Sequence, residues 1–387
     1  MTVKRMLDVS FSETMRISKL AAKMGEEGDE VISLAVGEPD FTTPDFIIDA
    51  ASRAMKEGFT HYTNPQGISE LRAEISKRIK QKNKLDFDEE NVLVTPAKMA
   101  LFMSILAHLD DGAEAVVMDP AWVSYRPMIK FADGIPKTVP LDEENKYSIE
   151  MDLLQDSISS RTEVLLLNTP SNPTGTTLSK DDMKGIADIA VDNDLTVISD
   201  EIYESLIFEG EHISIGSLDG MRERTITISG FSKSYAMTGW RLGWIVCDEK
   251  LLEDILKIQT HSITCATSFV QKAGIVALRE GDPEVQKMVE SYRKRRDVIV
   301  DGLNKIDGFH CVKPNATFYS FPGYDFDISS MELSMMLLEE AKVATTPGAA
   351  FGDVGENHLR LSFANSRENI KEALKRIGET VSKLDLI

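Results

Sequence analysis

The sequence predicts an α/β fold in which a mostly parallel central sheet carries helices on both faces and is joined to a smaller α+β domain. Its 387 residues, 42% of them hydrophobic, are enough for a large core and about two domains. Short β-rich segments alternate with helical patterns through the middle of the chain. Neither a low-complexity segment nor an internal repeat interrupts this alternation.

The N-terminal segment predicts an arm that contains one amphipathic helix. Ser10 and Glu13 have the spacing of a capping box. Apolar residues then recur at helical intervals before GEEGDE ends the run, namely Ile17, Leu20, Ala21 and Met24.

The central region predicts the sheet itself. Six short segments are rich in β-branched and aliphatic residues: NVLVT, AEAVVM, TEVLLLN, LTVISD, TITIS and GWIVC. Helical patterns such as KMALFMSILAHL and SKDDMKGIADIAVDN lie between several of them. Parallel strands require such crossover connections, so most of these strands are expected to run parallel.

The last hundred residues predict a less regular α+β domain that ends on a helix. A domain boundary is expected near REGDPEVQK, residues 279–287, where a long helical pattern begins. We expect an N-terminal arm over 1–44 that belongs to the small domain, a large domain over 45–282 and a C-terminal small domain over 283–387. The final helix is predicted from an apolar stripe formed by Ile370, Ala373, Leu374, Ile377, Val381 and Leu384.

Charge and cysteine content exclude several classes of function. The 63 acidic and 43 basic residues give a formal charge of −20, which would repel nucleic acid and anionic lipid. Cys247, Cys265 and Cys311 are far apart and form no CxxC pair, so neither a zinc site nor a disulfide framework is expected. Reduced thiols and the lack of an apolar run of about 18 residues predict a cytoplasmic protein.

Polar residues that follow the predicted strands mark the expected ligand site. In open α/β sheets, ligands bind at the carboxyl ends of the strands. The residues at four such ends include Trp122, Asn172, Asp200 with Tyr203, and Lys233. The sequence has neither a GxGxxG nor a GxxxxGK[ST] motif to cradle a nucleotide, and it has no HExxH motif to bind a metal.

Pyridoxal phosphate requires this set of side chains. Its aldehyde needs a lysine, its pyridinium nitrogen a carboxylate, its phenolate oxygen hydrogen-bond donors and its ring a flat apolar neighbour. Its phosphate needs an arginine and backbone N–H groups. The sequence offers each of these groups.

Seven motifs resemble the class I pyridoxal-phosphate aminotransferases of fold type I, in the subgroup that holds many archaeal and bacterial aspartate and aromatic aminotransferases. They are SGFSKSYAMTGWRLGW, NTPSNPTG, DEIY, HYTNPQG, VGEPDF, PGAAFG and RLSFA. The resemblance extends from about residue 30 to the C-terminus.

The resemblance implies a role for each residue around the cofactor ring. Lys233 is expected to be the Schiff-base lysine and to move the substrate Cα proton, while Asp200 keeps the pyridinium nitrogen protonated. Asn172 and Tyr203 are expected to bind the phenolate oxygen, and Trp122 to stack on the ring. The alternatives are a surface lysine, an N-cap aspartate, a turn asparagine and a core tryptophan.

The resemblance also implies where the phosphate and the substrate bind. Arg241 is expected to bind the phosphate together with Ser232 and the backbone of Ala97 and Lys98, although a structural ion pair is the alternative for this arginine. Arg360 is expected to bind the substrate α-carboxylate, with Gly37 and Asn172 beside it.

The resemblance implies a homodimer and a moving small domain. Tyr62 resembles the tyrosine that reaches the phosphate of the neighbouring subunit, and a core tyrosine is its alternative. Because Gly37 and Arg360 lie near opposite ends of the chain, the small domain is expected to move when substrate binds.

Three positions depart from the family pattern. VTPAKMAL is one residue shorter than usual and lacks a glycine, Gly230 replaces a serine found in some relatives, and Ala316 stands in PNATFY where glycine is usual.

The expected activity is amino transfer by a ping-pong mechanism, from an L-amino acid to a 2-oxo acid such as 2-oxoglutarate. Aspartate is the first choice of donor and an aromatic amino acid the second. A carbon–sulfur β-lyase on the same scaffold is an alternative chemistry. A ligand-binding protein without catalysis is the alternative from another class, and the intact Lys233 and Arg360 argue against it.

Overall fold

The computed structural model describes residues 13–386 together with residues 6 and 9. Its α-helices within 13–386 are α1 Glu13–Glu26, α2 Asp45–Lys56, α3 Ser69–Lys82, α4 Ala97–His108, α5 Tyr125–Phe131, α6 Met151–Ser157, α7 Lys180–Asp192, α8 Glu249–Ser262, α9 Ser268–Glu280, α10 Asp282–Leu303, α11 Ser330–Glu339 and α12 Arg367–Val381. Short 3₁₀ helices cover Glu89–Asn91, Ile215–Ser217, Thr238–Trp240, Gly348–Phe351 and Asp353–Gly355.

The strands in the same part of the chain are β1 Ile32–Ser33, β2 Val92–Val94, β3 Glu114–Asp119, β4 Ile135–Pro140, β5 Thr162–Asn168, β6 Thr196–Asp200, β7 Thr225–Gly230, β8 Gly243–Val246, β9 Phe309–His310, β10 Tyr319–Ser320, β11 Gly323–Tyr324, β12 Val343–Ala344, β13 Thr346–Pro347 and β14 Leu359–Ser362. The six strands and two helices quoted from the central sequence are all confirmed.

A seven-stranded sheet in the order β2-β8-β7-β6-β5-β3-β4 forms the centre of the molecule. Strand β8 runs antiparallel to both of its neighbours, and the other strands are parallel to one another. The predicted α/β fold class is therefore confirmed.

Helices cover both faces of this sheet. Val117 of β3 packs in a cluster with Leu101 of α4, whereas its neighbour Val116 packs on the opposite face with Ile186 of α7. Adjacent side chains of a strand point to opposite faces, so burial of both residues requires cover on both sides.

Strand β4 was not predicted from the sequence. It lies at the edge of the sheet, paired only with β3, and most of its side chains are exposed. Its sequence, IPKTVP, includes two prolines and a lysine, which are typical of an edge strand. Because these residues interrupt the apolar pattern, the segment does not resemble a buried strand.

The N-terminal arm packs against the C-terminal region. Helix α1 confirms the predicted amphipathic helix, and Ile17 is fully buried beside Leu338 and Ala344. Ser10 of the predicted capping box lies outside the described residues. Strand β1 pairs in parallel with β12, and the backbone N–H of Ser362 donates to the Leu34 carbonyl at 2.7 Å.

The predicted C-terminal helix is also confirmed. Helix α12 buries Ile370, Ala373 and Ile377, and it ends at Val381, before the predicted Leu384. Residues 279–287 span the junction between α9 and α10, and the domain boundary expected there stays a prediction. Across residues 13–386, the helices all fall short of the length or apolar character that crossing a membrane requires.

Candidate active site

A cavity of about 440 Å³ opens at the carboxyl ends of the parallel strands. Asn168 and Asp200, the last residues of β5 and β6, both line it. It brings together all but one of the residues expected at the site: Gly37, Ala97, Lys98, Trp122, Asn172, Asp200, Tyr203, Ser232, Lys233, Arg241 and Arg360. These residues come from the arm, the start of α4, the ends of the sheet strands with the loops that follow them, and β14. Segments near both ends of the chain therefore complete a site that lies on the sheet.

Lys233 is the amine at the centre of the cavity. It follows β7, and its Nζ donates to the Gly37 carbonyl oxygen at 2.6 Å. Desolvation lowers its pKa to about 8, and the positive charges of Arg360 and Arg241 act in the same direction. A lowered pKa makes the neutral amine available for attack on a carbonyl and for proton transfer near neutral pH.

Asp200 is a buried carboxylate at the end of β6. Its Oδ2 accepts a hydrogen bond from the Tyr125 hydroxyl at 2.7 Å, and its Oδ1 accepts one from the Ile202 backbone N–H at 3.2 Å. Burial raises its pKa to about 6, although both hydrogen bonds oppose that rise. A cation placed beside this carboxylate would recover the cost of its desolvation.

Arg360 of β14 is a buried guanidinium whose hydrogen bonding is incomplete. Nη1 donates to Asn172 Oδ1 at 3.1 Å, and Nη2 donates to the carbonyl of Ala35 at 2.7 Å. Its Nε has no partner within the described part of the chain. Burial lowers the pKa of this guanidinium, while the nearby Tyr319 and Tyr203 phenols act in the opposite direction. A buried, unpaired guanidinium is a binding site for a carboxylate.

Asn172 links this arginine to the rest of the cavity. Its Oδ1 is the atom that accepts from Arg360, so Nδ2 is the atom available to donate to a ligand. Gly175 of the same turn has a φ of 72°, and a Cβ there would lie 2.6 Å from the Tyr319 carbonyl oxygen. The glycine of NPTG therefore sets the close approach of this turn to the C-terminal region.

The cavity carries an excess of positive charge, although the whole chain is acidic. Four of its lining residues are cationic, namely Lys98, Lys233, Arg241 and Arg360, whereas Glu38 and Asp200 are the acidic ones. The net charge of the chain is −20. This local reversal of sign favours anionic ligands that carry phosphate or carboxylate groups.

One end of the cavity is built to bind phosphate. Helix α4 begins at Ala97, and the first backbone N–H groups of a helix have no partner within it. Arg241 adopts a left-handed conformation with a φ of 56°, and its exposed side chain reaches the cavity while Nη1 donates to Thr238 O at 2.8 Å. Among the described residues no ion pair holds this arginine, so the structural alternative finds no support there.

The departure at Gly230 has a packing explanation. A Cβ at this position would lie 2.7 Å from Gly243 Cα and 3.0 Å from the Leu242 carbonyl oxygen. These are backbone atoms of the adjacent strand β8 and of the residue that precedes it, so a serine would not fit. Ser232, by contrast, lines the cavity.

The other departures concern the backbone. Ala316 is fully buried, and its backbone N–H donates to the Gly175 carbonyl oxygen at 2.9 Å. Its role is therefore structural. The short VTPAKMAL segment still places Ala97 and Lys98 at the start of α4, where both line the cavity.

Tyr62 is the expected site residue that the structure does not bring to this cavity. Its side chain is 87% exposed, which rules out a core position. Its reach into a neighbouring subunit stays a prediction.

Tyr125 and Tyr319 also line the cavity, although the sequence analysis did not single them out. The hydroxyl of Tyr125 binds Asp200, and Tyr319 lies beneath Arg360. The Lys98 side chain, of which only the backbone was expected to act, places its Nζ 4.8 Å from the Trp122 ring centroid. Tyr125 follows Trp122 by three residues, so the spacing of DPAWVSY was a local signal for it. Tyr319 had no such signal, because β10 is only two residues long.

These residues fit pyridoxal phosphate. The desolvated Lys233 amine, the buried Asp200 carboxylate, the flat Trp122 ring and the helix start near Arg241 match its aldehyde, ring nitrogen, ring face and phosphate. The unpaired Nε of Arg360 remains for a carboxylate of a second ligand.

Comparisons with known proteins agree with this geometry. The family described as aminotransferase class I and II matches residues 29–377. The chain is 41% identical to the aspartate aminotransferase of Pyrococcus abyssi, over 98% of this chain and 97% of that protein. It is 40% identical to the aromatic-amino-acid aminotransferase 2 of Thermococcus litoralis, over 98% of both. The aspartate aminotransferase of Thermus thermophilus with maleate superposes with a TM-score of 0.94 at 34% identity, covering 98% of this chain and 99% of that one.

Proposed function

The chain belongs to the class I and II aminotransferases, and we propose that it transfers the amino group of aspartate to a 2-oxo acid, with 2-oxoglutarate as the acceptor. The observation that carries this proposal is the cationic cavity, in which Lys98 provides a second positive charge for a dicarboxylic substrate beside that of Arg360. The family uses pyridoxal phosphate, and we propose that this chain holds it at Lys233, Asp200, Asn172, Tyr203, Trp122, Ser232, Arg241 and the start of α4.

The residues of the chain then have distinct tasks. When bound, the cofactor supplies an aldehyde and a conjugated ring that accept the electrons of the broken Cα–H bond. Lys233 would move the proton between the substrate Cα and C4′ of the cofactor. Asp200 holds a proton at the ring nitrogen, and Tyr203 donates to the ring oxygen.

Arg360 binds the α-carboxylate of the substrate. Its guanidinium is held by Asn172 and Ala35, so it does not have to reorganise when the carboxylate arrives. Gly37 leaves room beside it, because a Cβ there would lie 2.7 Å from the Tyr319 hydroxyl.

Lys98 favours an acidic substrate. Its Nζ lies over the Trp122 ring, and desolvation together with the charge of Arg241 lowers its pKa. A carboxylate placed near it would relieve both penalties. The relatives are named as aspartate and aromatic aminotransferases, which supports aspartate first and an aromatic donor as the second candidate, since Trp122 and Tyr125 offer an apolar wall.

The proposal extends to assembly and location. We propose a cytoplasmic homodimer in which Tyr62 reaches the phosphate of the neighbouring subunit, which would explain why so large an aromatic side chain is exposed. We also propose that residues 1–44 and 283–387 form a small domain that moves relative to residues 45–282.

A panel of amino donors with 2-oxoglutarate tests the substrate. We expect aspartate to give the highest kcat/KM, and we expect Lys98→Ala to lower kcat/KM for aspartate about 10-fold or more while changing that for phenylalanine less than about 3-fold. Equal losses for both donors would contradict the role of Lys98. Exposed Lys257→Ala is the matched control.

Lys233→Ala tests the chemistry. It should abolish both amino transfer and the visible absorption of the loaded protein, and survival of both would refute the assignment. Release of pyruvate and a thiol from a cysteine conjugate, without glutamate formation, would instead establish the β-lyase alternative.

A further inference from the structure

Tyr319 is a buried tyrosine that connects two parts of the candidate active site. It is 1% exposed and lines the cavity. Its strand β10 pairs with β14, the strand that carries Arg360. The pairing sets Ser320 opposite Leu361, so Tyr319 and Arg360 are held by the same short sheet.

The ring of Tyr319 packs against the substrate-binding arginine. The guanidinium carbon of Arg360 lies 4.6 Å from the Tyr319 ring centroid and 5.0 Å from that of Phe351. The hydrogen bonds that the Arg360 guanidinium donates, including those to Asn172 and Ala35, lie along the edges of its plane. Aromatic contact with its face therefore restrains the tilt that the edge contacts leave open.

The hydroxyl of Tyr319 contacts a second functional residue. Its oxygen lies 2.9 Å from the hydroxyl oxygen of Tyr203. In such a pair, one hydroxyl donates to the other, and the second proton remains available to the cavity. The direction of this bond decides which tyrosine donates to a ligand.

The surroundings favour Tyr319 as the donor within the pair. Burial raises the pKa of both phenols. Arg360 opposes this rise for both phenols, but it packs directly on the Tyr319 ring and is a larger cause for Tyr319 than for Tyr203, so Tyr319 is the better donor. Tyr203 then accepts this bond and directs its own O–H into the cavity.

The hydroxyl of Tyr319 also touches the arm. A Cβ on Gly37 would lie 2.7 Å from it, and the Gly37 carbonyl accepts from Lys233. Tyr319 therefore lies beside three groups of the site. They are Arg360, which is expected to bind the substrate, Tyr203, which is expected to bind the cofactor oxygen, and Gly37, whose carbonyl binds the Lys233 amine.

We propose that Tyr319 is a positioning residue with two separable roles: its ring orients Arg360 toward the substrate carboxylate, and its hydroxyl directs the Tyr203 O–H toward the cofactor oxygen. The inference rests on the proposed function and assigns Tyr319 a role within that site.

Two substitutions separate the roles. Tyr319→Phe keeps the ring and removes the hydroxyl, whereas Tyr319→Leu removes both. The probes are the dissociation constant of maleate, a dicarboxylate without an amino group, and the pKa read from the visible absorption of the loaded enzyme.

The two probes should respond differently. Tyr319→Phe should change maleate affinity less than about 3-fold, and Tyr319→Leu should weaken it about 10-fold, the size of a desolvated cation–π contact. Both variants should raise the absorption pKa by about 0.5 to 1 unit, because a hydroxyl that no longer accepts a bond donates more weakly to the ring oxygen.

Tyr324→Phe is the matched control, since it also removes one partly buried hydroxyl bond, to Ile328 O at 2.9 Å, away from the cavity. It should move neither probe. Equal maleate affinity in the Phe and Leu variants would overturn the role of the ring. An unchanged or lowered absorption pKa in Tyr319→Phe would overturn the role of the hydroxyl.

The wild-type enzyme separates this inference from the proposed function. If it neither absorbs in the visible range nor binds maleate, the proposed function fails. If it does both and the variants show no split, the positioning role of Tyr319 fails alone.

Discussion

At the residue scale, burial moves the pKa values of the two key ionisable groups toward each other. Desolvation lowers the pKa of Lys233 to about 8 and raises that of Asp200 to about 6. The neutral amine of Lys233 thus becomes accessible near neutral pH, as proton transfer requires, while Asp200 is still mostly ionised there. In the cofactor-free chain, the desolvation free energy of these two groups lowers the stability of the fold.

Asp200→Asn should therefore stabilise the cofactor-free chain while abolishing function. The folded Asp200 carboxyl, with its pKa of about 6 against an ordinary 3.8, retains a proton that the unfolded chain has lost. Its contribution to stability is complete below about pH 4 and is lost as pH rises through 6. We expect Asn to raise the free energy of unfolding by about 1–3 kcal/mol at pH 8.

Urea unfolding at pH 8 and pH 5 measures this effect. The gain should shrink at pH 5, and the loaded variant should lose about 10²-fold or more in kcat. Exposed Asp192→Asn on α7 is the control and should change neither quantity. A destabilised Asp200→Asn variant at pH 8 would show that hydrogen bonds outweigh desolvation at this carboxylate.

At the element scale, the approach of β7 to β8 determines how the loop that carries Lys233 begins. Gly230 and Gly243 are paired across the two strands. A Cβ on Gly243 would also lie 3.0 Å from the Ala97 backbone nitrogen, the first of α4. Because both positions are glycines, the loop that carries Lys233 and the first residues of α4 can both lie at one end of the cavity.

Gly230→Ser should destabilise the protein rather than add a phosphate contact. The new Cβ would meet Gly243 Cα and Leu242 O, which are backbone atoms that cannot rotate away. Overpacking of this kind costs about 1–3 kcal/mol. Urea unfolding should show this loss, and Gly239→Ser, with no atom within 4 Å, should not. Unchanged stability together with tighter pyridoxal phosphate binding would contradict this prediction.

At the scale of the whole molecule, contacts between distant segments hold the strand that carries Arg360 in place. Glu143 of the loop after β4 binds His358 Nε2 at 3.0 Å and His310 Nδ1 at 3.1 Å through the same carboxylate oxygen. His358 Nδ1 also lies 3.0 Å from the Glu356 carbonyl oxygen. His358 is two residues from Arg360, so this cluster connects the strand that carries Arg360 to the loop after β4 of the central sheet.

Glu143→Gln should weaken that connection. The amide keeps the shape of the side chain and removes the charge shared by two imidazoles, so we expect a loss of about 1–2 kcal/mol in the free energy of unfolding at pH 6.5. Urea denaturation measures it, with the exposed neighbour Glu144→Gln as the control. Equal stability of the two variants would show that the cluster contributes nothing to the fold.

The sequence alone was sufficient for the sheet and for most of the residues at the site. The strands buried on both faces are continuous apolar runs, and polar residues at their carboxyl ends had to meet at one edge. Asp200 and Lys233 were therefore recognisable together, since β6 and β7 are adjacent in the sheet. The edge strand β4 was missed because exposed strands carry no apolar pattern.

Only the tertiary structure decided how these residues contact one another. The bonds from Lys233 to Gly37 and from Arg360 to Asn172 join positions 196 and 188 residues apart. Tyr319 beneath Arg360 and Lys98 over Trp122 were likewise invisible in the sequence, because local patterns report backbone periodicity and not which side chains meet across elements. The sequence determined the chemistry that this protein carries, and the packing of its two ends on the sheet determined the geometry, since that geometry depends on contacts that exist only when the chain is folded.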